Sequence, residues 1–207
     1  VPMGGCAETA DCPAAVSDPG TLLLLSDDSS CVTAFGQVDG VVCGFVTLSG
    51  DTVCCRAAAR VARFVRLCDA FSLPVLTFVD AAGFKGVNGA AKISQAYAEA
   101  TTAKISIITG KAYGPVYIAV AGKLAGADAV LAWPQAVISP LPPETAVQIL
   151  WRDRLAAMQD PTSDREALAA EYAAEEGSPL KAAAGGYLTD VVTPEETKAK
   201  ITMLLDM

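Results

Sequence analysis

Between residues 73 and 134, apolar runs of strand length alternate with segments of helical period, and that alternation limits the fold more than any other feature of the chain. "LPVLTFVD", "KISIITG" and "DAVLAWP" read as buried strands bounded by turn residues. Between the first two, "GAAKISQAYAEATT" places Ile93, Ala96, Tyr97 and Ala100 on one helical face. Between the last two, "PVYIAVAGKLAGA" reads as one helix opening at Pro115. Strands separated by helices give an α/β domain with a mostly parallel central sheet.

The flanks fit the same plan. "TLLLL", "CVTAFGQV" and "VVCGFVTLSG" are short strands separated at Asp27-Asp28 and Asp39-Gly40, the last two forming a hairpin at "VDGV". In "CCRAAARVARFVRLCDAF", Val61, Phe64, Val65 and Cys68 make a helical stripe. Arg56, Arg60, Arg63 and Arg66 fall on the opposite face, as a solvated surface or subunit contact or, alternatively, a surface for an anionic partner. Downstream, "AVIS" is a short strand, and "PETAVQILWRDRLAAM" and "DREALAAEYAAEE" are helices. Ser178-Pro179 opens a short helix stopped by Gly185-Gly186, and "YLTDVV" is a last strand. Thr193-Pro194-Glu195-Glu196 is a capping box for a final helix. Residues 1–20 lack periodicity and read as an irregular lead-in, and residues 21–207 read as one domain.

Composition removes several function classes. Net charge is −8, so the chain lacks the cationic surface that non-specific nucleic-acid binding requires. It has no histidine, which excludes Ser-His and Cys-His catalysis and the commonest metal ligand. Cys6, Cys12, Cys31, Cys43, Cys54, Cys55 and Cys68 show no C-x-x-C spacing and several sit in apolar runs, so buried thiols are expected and no metal. "TLLLLS" is too short to cross a bilayer, and a cytoplasmic protein is the expectation.

Gly110-Lys111 lacks a P-loop's spacing, and "GFKGVNG" is not G-x-G-x-x-G. Two strand-to-helix junctions remain, "FVDAAGFKGVNGAAK" and "ITGKAYGPVYIA". Such junctions expose unpaired backbone N–H groups with a helix dipole behind them, and so suit a developing oxyanion without any side-chain base.

The run of motifs adds to this. "VTAFGQVDGVVCGFV", "VARFVRLCDAFSLPVLTFVDAAGF", "AKISQAYAEATTAKISIITGKAYGPVYIAVAGKLAGADAVLAWPQAVIS", "PPETAV" and "SPLKAAAGGYLTDVVTPEET" occur in this order. Together they resemble the C-terminal half of the carboxyltransferase family of biotin-dependent acyl-CoA carboxylases and decarboxylases. The resemblance implies a crotonase-like fold, a superhelix of β-β-α units, assembled as a homotrimer or hexamer. It implies the biotin-side half of a split carboxyltransferase, moving carboxyl between carboxybiotin and an acyl-CoA through backbone oxyanion holes. The acyl-CoA site then belongs to an N-terminal-type carboxyltransferase subunit, and the biotin to a separate biotin carboxyl carrier protein.

Carried over by residue, the resemblance places Gly83 and Phe84 on one side of a biotin-side oxyanion pocket. On the other it places Gly114, Pro115, Val116 and Tyr117, with the amides of Gly83, Phe84, Gly114 and Val116 in the catalytic role. Family members carry Gly-Gly-Ala where this chain has Gly114-Pro115-Val116. Pro115 suits the first position of a helix but has no N–H to donate, and valine for alanine is expected to narrow the turn. Ala82 stands for the family's proline, and the arginine expected before "GY" is missing. These departures support an alternative: a non-catalytic paralogue with a structural or regulatory role. A stand-alone crotonase-like hydratase fits poorly, because Glu99 and Glu144 form no carboxylate pair at the turns.

Overall fold

A computed structural model describes residues 9–28, 30–156 and 163–206. The chain runs through α1 (Cys12–Val16), β1 (Leu23–Asp28), β2 (Cys31–Val38), β3 (Val41–Gly50), α2 (Cys55–Ala70), β4 (Val75–Ala81) and α3 (Val87–Glu99). It continues through β5 (Lys104–Tyr113), α4 (Gly114–Val116), β6 (Ala129–Ala132), β7 (Val137–Ser139), α5 (Pro143–Leu150) and α6 (Arg152–Ala156). Last come α7 (Ser163–Glu175), α8 (Pro179–Ala184), β8 (Asp190–Val191) and α9 (Thr197–Leu205).

One sheet of order β1-β2-β3-β4-β5-β6-β8 organises these elements, with β7 beside the end of β5. The pairs β1–β2 and β2–β3 are antiparallel, and every pairing from β3 onward is parallel. The β2–β3 hairpin turns through Asp39 and Gly40 at φ 52° and 80°, the left-handed pair that a two-residue turn needs to match strand twist. The strands bury both faces. Val75 and Val79 join the stripe of α2 (Val61, Phe64, Val65, Cys68) and Ile93, Ala96 and Tyr97 of α3. Leu76, Phe78, Ile105 and Ile107 point the other way, against Cys12, Val16 and Ile201. A third, smaller cluster holds α5 to α7 through Ala146, Val147, Leu168, Ala169 and Tyr172.

Several local expectations give way to tertiary packing. The lead-in is not irregular throughout: Cys12 and Val16 of α1 are fully buried, and Thr9 Oγ1 lies 2.9 Å from Thr109 Oγ1 of β5. Asp28 ends β1 rather than opening a turn. β1 is an edge strand whose leucines 23–25 are largely exposed. The helix expected over 115–127 breaks at Gly122, whose extended backbone (ψ 147°) separates a π-helical turn, Tyr117–Ala121, from a 3₁₀ turn, Lys123–Ala125. A Cβ at Gly122 would stand 3.1 Å from the Tyr117 ring and 3.1 Å from its carbonyl oxygen, so any larger residue there would make the Tyr117 turn yield by a few tenths of an ångström. The long helix expected from residue 143 likewise divides at Trp151. "YLTDVV" contributes only the two residues of β8.

Of the arginine face, Arg60 bonds Ser26 and pairs with Asp28 at 3.5 Å, and Arg66 pairs with Glu99 at 3.2 Å. Four of the thiols expected to be buried (Cys12, Cys31, Cys43, Cys68) are so, whereas Cys55 is exposed; Cys6 lies outside the described residues. No helix among the described residues is long and apolar enough to cross a membrane.

Candidate functional site

The C-terminal ends of β4 and β5 set the geometry. Their register shifts between Val79↔Ile108 and Ala81↔Ala112, so β5 carries a bulge there. Asp80 holds it: its Oδ1 accepts the Lys111 N–H at 2.8 Å, and its carboxylate fills the space that a Cβ on Gly110 would need. After the bulge Ala81 and Ala112 pair directly. Gly83 and Gly114 each follow that pair by two residues, so both turns leave the same end of the sheet from neighbouring strands.

The first turn crosses back toward β3. Ala82 N–H donates to Gly50 O at 3.1 Å, Val53 N–H to Gly83 O at 2.8 Å, Lys85 N–H to Val53 O at 2.9 Å and Gly86 N–H to Phe84 O at 2.9 Å. This pattern, a parallel bridge between Val53 and Phe84, uses the carbonyls of Gly83 and Phe84. Their own N–H groups find no acceptor among the described residues. Both residues are half-buried, and the Phe84 ring packs on the α2–α3 core.

The second turn begins α4 one residue earlier than Pro115. Gly114 is the first helical residue, Pro115 the second, and no side chain caps this end. First-turn N–H groups have no intrahelical acceptor, so Val116 keeps a donor while Pro115 has none. Gly114 has φ +31°, and a Cβ there would lie 2.5 Å from Pro140 O. The Val116 side chain does not narrow the turn; it is fully buried in the α2–α3 core. Past α4, Ser106 Oγ donates to Val120 O at 2.6 Å, anchoring the π turn to β5.

A cavity of about 440 Å³ opens beside Gly114, walled by Tyr117, Ile118, Ile138, Tyr172, Ala182 and Tyr187. An ion pair between Lys181 and Glu176 lies on its lining. Of the residues singled out in the sequence, Gly114 and Tyr117 meet there; Gly83, Phe84, Pro115 and Val116 do not line it. Burial raises the pKa of Tyr117, with Tyr187 adding to the effect, and burial together with Glu144 and Asp80 raises that of Tyr113. Both phenols therefore stay protonated at neutral pH. Asp80, Tyr172 and Tyr187 belong to this region without a motif that marks them in the sequence. A glycine inside the apolar strand "KISIITGKAY" was the available sign of the bulge that Asp80 holds.

Comparison with known proteins decides the family. Residues 28–207 match the model of the carboxyl transferase domain. The chain belongs to that family. This carboxyl transferase domain is 38% identical to a propionyl-CoA carboxylase carboxyltransferase subunit of Haloferax mediterranei, an alignment covering 93% of this chain and 40% of that protein. To the methylmalonyl-CoA carboxyltransferase 12S subunit of Propionibacterium freudenreichii subsp. shermanii it is 35% identical, over 85% of this chain and 36% of that subunit. Among solved structures it superposes on transcarboxylase 12S, a hexamer crystallised with methylmalonyl-CoA and methylmalonic acid bound, with TM-score 0.84 and 34% identity. That match takes in all of this chain and 43% of the other. The fold is therefore crotonase-like. The chain spans about two-fifths of the length of these relatives.

Proposed function

We propose that this chain is the biotin-side half of a split acyl-CoA carboxyltransferase. In this reading an N-terminal-type subunit holds the acyl-CoA, a separate carrier protein brings the biotin, and the assembly is a homotrimer or hexamer in the cytoplasm. One observation carries the reading: among the described residues the amides of Gly83 and Phe84 have no acceptor, at the sheet end where the Gly114 turn, with no side-chain cap among those residues, also emerges. The residues fit biotin by donor type. A neutral cyclic urea asks for N–H groups at its oxygen and apolar walls around its rings; Tyr117, Ile118, Ile138 and Ala182 supply such walls beside Gly114, while the amides of Gly83 and Phe84 stand outside this cavity on the neighbouring turn.

Biotin, when bound, would supply the ureido nitrogen that takes up or releases the carboxyl group, while the acyl-CoA supplies the other end of the transfer. The amides of Gly83, Phe84 and Val116 stabilise negative charge on an oxygen placed against them, and the helix dipole of α4 adds little because the helix is only one turn long. Tyr113 and Tyr117, held protonated, provide no base, so the contribution of this chain is electrostatic and orienting. Loss of one oxyanion donor costs about 10²–10³ in kcat, which is the handicap that Pro115 imposes relative to a residue with an N–H.

The test combines this chain with an N-terminal-type subunit and follows carboxyl transfer from methylmalonyl-CoA to free biotin. Val116→Pro is expected to lower the rate by ~10²-fold or more with an unchanged circular dichroism spectrum, and Pro115→Gly to raise it. Indifference to both changes rules out the amide mechanism. It would favour a second reading, to which the missing donor at Pro115 already lends weight: a non-catalytic paralogue that keeps the fold as a structural or regulatory subunit.

A further inference from the structure

The loop between α8 and β8 presents three successive carbonyls, and each accepts a hydrogen bond from a side chain of one short segment. Tyr117 Oη donates to Tyr187 O at 3.1 Å, and Lys123 Nζ donates to Gly186 O and Leu188 O, both at 3.3 Å. Tyr117 opens the π turn behind Gly114, and Lys123 opens the 3₁₀ turn beyond Gly122. The loop is also pinned at its ends. Gly186, at φ +77°, closes α8 with Tyr187 N–H on Ala182 O (3.0 Å) and Gly186 N–H on Ala183 O (2.9 Å). On the far side Thr189 N–H donates to Val130 O at 2.7 Å.

This arrangement holds the backbone that carries an exposed ring. Tyr187 is 58% exposed and lines the cavity. Its ring leans over Gly185, where a Cβ would come within 2.8 Å of it, so the ring position depends on the loop backbone. An ammonium group has three donors and no acceptor, so a single lysine can hold two carbonyls at once.

We infer that Lys123, which does not line the cavity, is a positioning residue. With Tyr117 it holds the 186–188 loop so that Tyr187 forms a wall of the cavity beside the Gly114 turn. The ligand assigned to that wall, the cyclic urea of biotin, rests on the function proposed above; the clamp does not.

Two variants test it in the full chain. Lys123→Met keeps the alkyl stem and removes the donors, whereas Lys123→Arg keeps a cation with several donors. Hydrogen exchange of the 185–189 amides is expected to quicken about fivefold in the Met variant and to return toward wild type in the Arg variant, with β4 amides unchanged. Binding of free biotin, measured by equilibrium dialysis, is expected to weaken about fivefold in the Met variant alone. Unchanged loop exchange overturns the inference. So does loop loosening that leaves biotin affinity intact, and so does a uniform acceleration that reaches β4. A wild-type chain that binds no biotin while Lys123→Met still frees the loop supports the clamp and counts against the proposed function instead.

Discussion

Gly114 and Gly83 occupy corresponding places on neighbouring strands, yet they are glycines for different reasons. At Gly114 the backbone has φ +31° and Pro140 O occupies the direction of a side chain. Gly114→Ala is therefore expected to cost ~1–3 kcal/mol in urea unfolding. Gly83 has ordinary φ, and a Cβ there would meet nothing nearer than Asp51 O at 3.9 Å. Gly83→Ala should stay within about 0.5 kcal/mol of wild type. Equal costs at the two positions would contradict this assignment. By motif alone both are turn glycines, because a motif gives residue type without the neighbour that forbids a side chain. By size alone Val116 would crowd the turn. The tertiary structure directs that side chain into the core, so of the two replacements in that turn it is Pro115 that has a chemical consequence.

At the level of elements, α2 and α3 and the strands β2 to β5 follow the apolar periodicity closely, since each buries a full stripe or face. The segment 114–125 does not. Its composition is that of one small-residue helix, but Gly122 is pressed against Tyr117 and the chain unwinds there. Ser106, buried on β5, takes up the Val120 carbonyl at 2.6 Å. Ser106→Ala leaves that carbonyl without its hydroxyl donor, and a loss of ~1–3 kcal/mol is expected in thermal or urea unfolding. A change near zero would mean that the π turn does not lean on β5. Such a contact joins residues 14 apart through two elements, which no local pattern encodes.

For the whole molecule, the core makes a prediction about alkaline pH. Burial pushes Cys31, Cys43 and Cys68 up to about 12 from the ordinary thiol value of 9.0. Between those values the unfolded chain has released protons that the folded chain retains. Stability from these thiols is thus complete below pH 9 and is lost as pH rises toward about 12. Urea midpoints should fall above pH 9, by up to ~1.4 kcal/mol per pH unit for each thiol, and Cys43→Ala should flatten the slope. A flat profile from pH 9 to 11 would show that these sulfurs are not shielded from water. Alternating short apolar runs and helical stripes were enough to determine an α/β domain with a parallel centre, because burial on two faces and burial on one stripe leave different periods in a sequence. The motifs were enough to determine the family. The level of the two turns was decided only in three dimensions: a two-residue bulge held by Asp80, a carbonyl from Pro140 and a clamp from Lys123 act across 26 to 65 residues of chain. Contacts at that separation depend on where the fold brings the backbone, and no spacing along the chain records them.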